Sequence, residues 1–306
     1  MTKFAPIVIF VYKRPGHILN LLDSLSQCKE GRDSDLIIFS DGAKNPDNVE
    51  EVAAIEEVRR ICANEQRFQS VKLIAQEKNL GLANSIIAGV SSTIEEYGRA
   101  IVLEDDLIVS RYFLEFMNSA LDKYEHDDRV GQIGACNFFA CGERFPESFF
   151  IPIPDCLGWA TWKNNWRKFI KNPQEIFDAL DNDEKLASKF NGYGSYDFIS
   201  LLKSNVQKKV DSWAILWHAT CMLNNWLTLY PNPSLTNHIE SVEATHANVN
   251  IIPPLASRAV SLENSSVEEL EHVINAMKLG YSNEGDFYGK KKNASLWVRL
   301  RDYFKS

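Results

Sequence analysis

The 306-residue chain has no CxxC pair among its six cysteines, no GxGxxG or GxxxxGK[ST] stretch, and no apolar run as long as a membrane span. Each absence excludes something. Cys28, Cys62, Cys136, Cys141, Cys156 and Cys221 lack zinc-ligand or redox spacing, and no signal-peptide pattern opens the chain, so reduced thiols and a cytoplasmic setting are expected. The sequons at Asn264 and Asn293 then carry no expectation of glycosylation. The missing glycine-rich loops argue against an ordinary dinucleotide site and against a P-loop. Runs such as Ile7 to Tyr12 are far too short to cross a bilayer. Positive charge is in the minority, 33 Lys and Arg against 41 Asp and Glu, and the net charge of -8 disfavours a nucleic-acid partner because nothing attracts a polyanion. A small anionic ligand would need a metal or local arginines.

Ala100-Ile101-Val102-Leu103-Glu104-Asp105-Asp106-Leu107 is the stretch around which the rest is organised. An apolar run that breaks into three carboxylates reads as a buried strand delivering acids to one edge of a sheet. Adjacent anions repel and are costly to desolvate, so a divalent cation or bound hydroxyl groups would explain them; oxygen ligands suit magnesium or manganese. The alternative is a solvated acidic turn.

Upstream, the pattern is regular. Pro6 to Tyr12 reads as a strand, followed by Lys13-Arg14-Pro15-Gly16 and a helix carrying Ile18, Leu21, Leu22 and Leu25. Asp35 to Ser40 is a second strand ending at Asp41-Gly42, with a helix whose apolar side is Val49, Val52, Ile55, Val58 and Ile61. Val71 to Ala75 is a third, leading through Lys78-Asn79-Leu80-Gly81 to a helix with Ala83, Ile86, Ile87, Val90 and Ile94. Such alternation predicts a doubly wound, mainly parallel α/β sheet. Ligands of these sheets bind at the carboxyl ends of the strands, which gathers Lys13, Arg14, Asp41, Lys78, Asn79 and Glu104 to Asp106 on one edge. Acids for hydroxyls and metal, with Arg14 for phosphate, suit a nucleotide.

After the helix Arg111 to Tyr124 the composition changes. Leu157-Gly158-Trp159-Ala160-Thr161-Trp162 and Trp166 form an aromatic cluster that fits either a core or a sugar-stacking surface. Asp181 to Tyr196 reads as a loop with one short helix. Asp211 opens a helix bearing Ala214, Trp217, Cys221 and Met222, as an N-cap or as a base. The segment from Thr236-Asn237-His238 to His246 holds two histidines. In the tail, Ser266 is expected to cap a helix that stops at Gly280. Lys290 to Ser306 is basic, aromatic and amphipathic, a form shared by membrane-surface anchors and by helices that pack on their own domain or a second subunit.

With these elements together, the chain resembles nucleotide-sugar glycosyltransferases of the GT-A fold, between inverting N-acetylglucosaminyltransferase I type enzymes and bacterial family 2-like sugar transferases, over about Pro6 to His246. The resemblance implies a GT-A (Rossmann-like) sheet with an acceptor-side subdomain and a helical C-terminal tail, divided as 1–129 for the nucleotide sugar, 130–262 for acceptor and catalysis, and 263–306 for the tail. It implies Arg14 at the donor diphosphate, Asp41 at uridine, an Asn79-Leu80-Gly81 turn beside Lys78, and Glu104 and Asp105 toward sugar and ribose. Asp106 is implied on Mn2+ or Mg2+, with His246 as a weaker metal match. Gly158, Trp159 and Trp162 fall to the acceptor. Asp211 of Asp211-Ser212-Trp213 falls to the catalytic base, with Ser212 where the family has an acid.

The implied activity is metal-dependent, inverting transfer from a UDP-sugar to a glycan or lipid-linked glycan, in the cytoplasm or at the inner membrane face through the C-terminal helix. A sugar-phosphate nucleotidyltransferase would need a longer, glycine-rich loop than Tyr12-Lys13-Arg14-Pro15. A non-catalytic glycan-binding module would have no use for a base at Asp211.

Overall fold

Four apolar segments form the strands that the alternation predicts: β1 (Ile7–Val11), β2 (Asp35–Ser40), β3 (Ser70–Ala75) and β4 (Arg99–Glu104). The first three are followed by helices α1 (Pro15–Ser26), α2 (Val49–Ala63) and α3 (Leu82–Tyr97). The computed structural model describes residues 4–139, 142–239, 255–263 and 265–282. Every residue of β1 and β2 is buried, as continuous apolar strands covered on both faces must be, whereas β3 is partly exposed at the sheet edge. Pro15 starts α1, where a missing N–H costs nothing and its fixed φ suits the first turn. Asn48 caps α2 by accepting from the Glu51 N–H, and Gly98 (φ 83°) closes α3 in the left-handed conformation that glycine adopts freely.

The α2 stripe differs from the expected one. Val49 is 80% exposed, while Glu51, Ile55, Val58 and Cys62 face inward. A buried carboxylate in the first turn rotates the packed face away from Val49.

Downstream lie β5 (Leu107–Val109), α4 (Phe113–Tyr124), β6 (Val130–Gly134), β7 (Ser148–Ile151), β8 (Trp159–Trp162) and α5 (Lys163–Trp166). They are followed by α6 (Pro173–Asp181), α7 (Glu184–Phe190), α8 (Phe198–Val206), α9 (Trp213–Leu223), β9 (Leu227–Pro231), β10 (Thr236–His238) and α10 (Glu271–Ser282). One mixed sheet of eight strands runs β3-β2-β1-β4-β8-β6-β9-β7. The pairs β3·β2, β2·β1 and β1·β4 are parallel, and β8 is antiparallel to both β4 and β6. Residues from both sides of position 130 therefore share one continuous sheet. A separate two-stranded sheet joins β5 to β10, with His238 opposite Leu107.

The connection order reverses at β1. From there β2 and β3 extend to one side and β4 begins the other, so the crevice between the carboxyl ends of β1 and β4 is the topological switch point where this class of sheet binds ligands.

The tryptophans settle into the core. Trp159 packs on Trp213 at 5.3 Å and Trp217 at 6.2 Å, and Trp166 packs on Trp217 at 5.0 Å. Trp159 is 1% exposed, and Trp162, 5% exposed, donates its indole N–H to the Leu121 carbonyl (3.1 Å). The acceptor-stacking expectation for Trp159 and Trp162 is thus corrected: neither ring has a free face. The stretch from Asp181 to Tyr196 holds one short helix, α7, between irregular segments, as expected, and α6 precedes it. One further correction concerns the tail helix. The tail helix starts at Glu271, well after Ser266, and continues through Gly280, where an added Cβ would lie 2.6 Å from the Phe139 Cβ. Its residues Val273 and Met277 are buried in the main core. Lys290 to Ser306 and His246 lie outside the described residues. Among the described residues, no helix is long and apolar enough to cross a membrane.

Candidate active site at the carboxyl ends of the strands

Five side chains converge on the switch point. Arg14, just after β1, places Nη2 2.7 Å from Asp105 Oδ1 and Nη1 3.2 Å from Asp106 Oδ2. Asp105 also accepts from the Tyr12 N–H through Oδ2 (3.3 Å), and its own N–H donates to the Phe10 carbonyl (3.2 Å). The ends of β1 and β4 are therefore tied by backbone and side chain together. Glu104, Asp105 and Asp106 are all buried.

His238 completes the group. The pairing of β10 with β5 sets it beside the turn that follows β4, where its Nε2 lies 3.1 Å from Asp106 Oδ2, and the Ile239 N–H donates to the Asp106 carbonyl (2.7 Å). Sequence reasoning placed the metal-side histidine at His246 and passed over His238. The available signal was a histidine ending a short strand-like segment, but only tertiary pairing shows that this segment meets the acidic turn.

Three adjacent acids respond differently to this setting. Burial pushes Glu104 well above the ordinary carboxylate range, and the neighbouring Asp106 and Asp105 charges add to the effect. Burial also raises Asp105, to about 7, against the pull of Arg14. For Asp106 burial acts upward too, but hydrogen bonding and charge from His238, together with Arg14, outweigh it and hold the group below its usual value. Asp106 is accordingly the carboxylate kept ionised.

Asp106 Oδ1 is buried and accepts no hydrogen bond among the described residues. An anionic oxygen left this way fits a hard divalent cation. Among the described residues there is no group of three or more His, Cys, Asp or Glu side chains able to hold an ion by themselves.

The second strand end is built differently. Asp41 Oδ1 accepts from Gly42 N (2.9 Å) and Leu80 N (2.8 Å), and Oδ2 accepts from Gly81 N (3.0 Å). Its carboxylate organises the turn at the start of α3, where exposed N–H groups favour an anion. Asn79 Nδ2 donates to the Gly42 carbonyl (2.8 Å), and a Cβ on Gly42 would come within 2.5 Å of the Lys78 carbonyl carbon. The Lys78 side chain is exposed. Arg59 braces the same edge from α2, donating to Ser40 Oγ (3.1 Å) and the Gln76 carbonyl (2.7 Å).

On the acceptor side, Gly158 adopts φ 99°, and a Cβ there would meet Thr236 Cγ2 at 2.8 Å, so glycine allows this loop to approach β10. Asp211 is exposed and precedes α9, but the cap is Ser212, whose Oγ accepts from Ile215 N (3.4 Å). The capping alternative for Asp211 is corrected accordingly. The Trp213–Trp159 stack, with Trp159 in register with Val102, brings the start of α9 toward the end of β4. Two other acids of this half are occupied. Asp155 accepts from the Ala135, Cys136 and Leu157 N–H groups, and Asp197 caps α8.

No curated protein matches the sequence. Among solved structures, the mannosyltransferase PcManGT from Pyrobaculum calidifontis, in complex with GDP-Man and Mn2+, is 14% identical, with a TM-score of 0.36 over 53% of this chain and 46% of that one. S. aureus TarS 1-349 in complex with UDP is 13% identical, with a TM-score of 0.32 over 47% of this chain and 38% of that one. A further TarS structure is 11% identical, with a TM-score of 0.39 over 76% and 36%. The chain spans less than half the length of each. Residues 7–172, more than half of the 306-residue chain and the segment holding β1 to β4 with their carboxylates, match the model of glycosyl transferase family 2, so the protein belongs to that family, and its α/β sheet with parallel β3-β2-β1-β4 has the GT-A (Rossmann-like) arrangement.

Proposed function

We propose that the protein transfers a sugar, with inversion, from a UDP-sugar to a glycan or lipid-linked glycan acceptor, using Mn2+ or Mg2+ held by Asp106. The observation that carries this reading is the Asp106 carboxylate at the β1/β4 switch point, with Oδ1 accepting no hydrogen bond among the described residues and Oδ2 shared by Arg14 and His238. When bound, the metal supplies charge neutralisation for the departing nucleotide. His238, which touches Asp106, orients that carboxylate, and His246 remains the weaker match for a second ligand. Arg14 faces the diphosphate, Glu104 and Asp105 face ribose and sugar, and Asp41, Lys78 and Asn79 shape the nucleoside end. Gly158 opens the acceptor side through its backbone.

Asp211 removes the proton from the acceptor hydroxyl as that oxygen attacks from the face opposite the nucleotide. One general base suffices, and no enzyme nucleophile is needed. Its exposure and its lack of a capping duty support the assignment. In the reading of the chain as 1–129, 130–262 and 263–306, donor and acceptor segments meet at β4 and β8. The site of action is the cytoplasm or the inner membrane face.

The test is Mn2+-dependent consumption of a UDP-sugar, first as hydrolysis and then with glycan acceptors. Asp106→Asn should abolish turnover and make UDP binding indifferent to Mn2+. Manganese-dependent transfer near the wild-type rate in that variant rules the metal assignment out.

A further inference from the structure

We propose that Glu51 is a positioning residue for the nucleoside half of the donor, fixing the loops after β1 and β2 as one preformed rim. The inference rests on the nucleotide-sugar reading above and adds a residue that neither sequence pattern nor family likeness assigned.

Glu51 sits in the first turn of α2 with its side chain 6% exposed. Its Oε1 accepts from Tyr12 Oη (2.7 Å) and Lys13 Nζ (2.9 Å), and its Oε2 accepts from the Asn45 N–H (3.0 Å). Tyr12 Oη in turn accepts from the Lys44 N–H (3.1 Å). One carboxylate therefore binds two residues of the β1 loop to the loop that begins at Asp41-Gly42. Those ties continue on either side. Asp41 links the β2 loop to the turn ahead of α3, and the Tyr12 N–H reaches Asp105 across the switch point. The Lys13 hydrogen bond leads, with Tyr12 and Asn45, in holding the Glu51 carboxyl down to about 2, so it is ionised at every working pH.

A buried charge with this many donors has a mechanical effect. Loops otherwise free to reorient are held before the ligand arrives, which spares binding the entropy of ordering them. The two sides of the β1 end are divided. Arg14 turns toward the β4 acids, whereas Tyr12 and Lys13 turn toward α2, so the Glu51 network flanks the diphosphate position on the β2 side. Its contribution should then appear in affinity for the nucleoside and be carried unchanged into the mono- and diphosphate.

The experiment titrates uridine, UMP and UDP with Mn2+ into the full chain and measures transfer kinetics. Glu51→Ala should weaken all three ligands by a similar factor, about ten-fold, since charged hydrogen bonds are lost. KM for the donor should rise with kcat within two-fold, and Glu51→Gln, which keeps an acceptor oxygen, should recover part of the loss. Unchanged binding of all three, a loss confined to UDP, or a fall in kcat at constant KM each overturns the proposal. Should Glu51→Ala not fold, Tyr12→Phe removes one tie and leaves the charge; it should show the same ligand-independent pattern at smaller size, and wild-type affinities there also overturn it. Failure of the wild type to bind UDP at all instead removes the nucleotide-sugar reading on which the inference stands.

Discussion

The imidazole Nε2 of His238 lies 3.1 Å from Oδ2 of Asp106, although the residues are far apart in sequence, His238 ending β10 and Asp106 lying in the turn just before β5. The contact does two things at once. It steadies the ionised form of the carboxylate, and it orients the other oxygen, which accepts no hydrogen bond among the described residues. His238→Ala is therefore expected to weaken Mn2+-dependent UDP binding about 10- to 100-fold, the range seen when partners of a metal site are removed. UDP binding without metal should stay near wild type. Calorimetric titration with and without Mn2+ checks both; equal affinities for wild type and variant in the presence of metal would remove His238 from the site.

Arg14 shares its guanidinium between the two acids that a cation would approach. A positive side chain there opposes a bare divalent ion and favours an anion. Arg14→Gln should bind Mn2+ alone more tightly than wild type and UDP more weakly, with uridine affinity unchanged. Manganese spin-resonance titration reads the first change, and calorimetry reads the others. Equal losses for UDP and uridine would place Arg14 away from phosphate.

Asp211 has an exposed side chain and no capping role, so its substitution separates chemistry from folding. Asp211→Asn should leave the melting temperature and donor affinity unaltered while the transfer rate falls on the order of 100- to 10,000-fold, the usual worth of a general base. Ser212→Ala provides the contrast, costing about 1 kcal/mol of stability through the lost cap. A folded Asp211→Asn protein that transfers at more than roughly a tenth of the wild-type rate shows that the base lies elsewhere.

His218 gives a pH signature unconnected with the site. Burial pushes it down to about 3, and its ring packs 4.6 Å from both Phe190 and Phe198. Its unfolded value is near 6.5, so below that pH the unfolded chain takes up a proton that the native state refuses. This residue therefore withdraws stability as pH falls from about 6.5 toward 3. Asp105 and Asp155, raised to about 7 and about 6, act in the opposite direction, since their folded forms hold protons more firmly. Comparing urea unfolding of wild type and His218→Leu at pH 7 and pH 5 cancels those shared contributions. The difference should move in favour of the variant by about 2 kcal/mol at pH 5. No pH dependence in that difference would mean that His218 is not held neutral.

Local pattern sufficed for the donor-side half of the sheet. In β1, β2 and β4, uninterrupted apolar residues can only be strands covered on both faces, and the helices between them force parallel pairing and a common carboxyl edge, so Arg14, Asp41 and Glu104 to Asp106 come to that edge whatever the details. Periodicity says nothing about which of two equal uses a residue serves. The tryptophans of 157–166 are apolar and aromatic in core and in sugar site alike, and their burial was decided by α9 packing over β8. Likewise, Asp211 and Ser212 are both good caps by type, and the point where the helix begins chose Ser212.

The long-range contacts were decided by tertiary structure alone. His238 reaches Asp106 only because β10 pairs with β5, and Glu51 meets Tyr12 and Lys13 only because the start of α2 lies beside the loop after β1. Sequence spacing carries side-chain direction within one element; it carries no distance between elements, because the intervening chain can close over many geometries at nearly equal entropic cost. Packing of the sheet against its helices selects one of them, and that selection set a histidine against a carboxylate and left one of its oxygens without a hydrogen bond among the described residues.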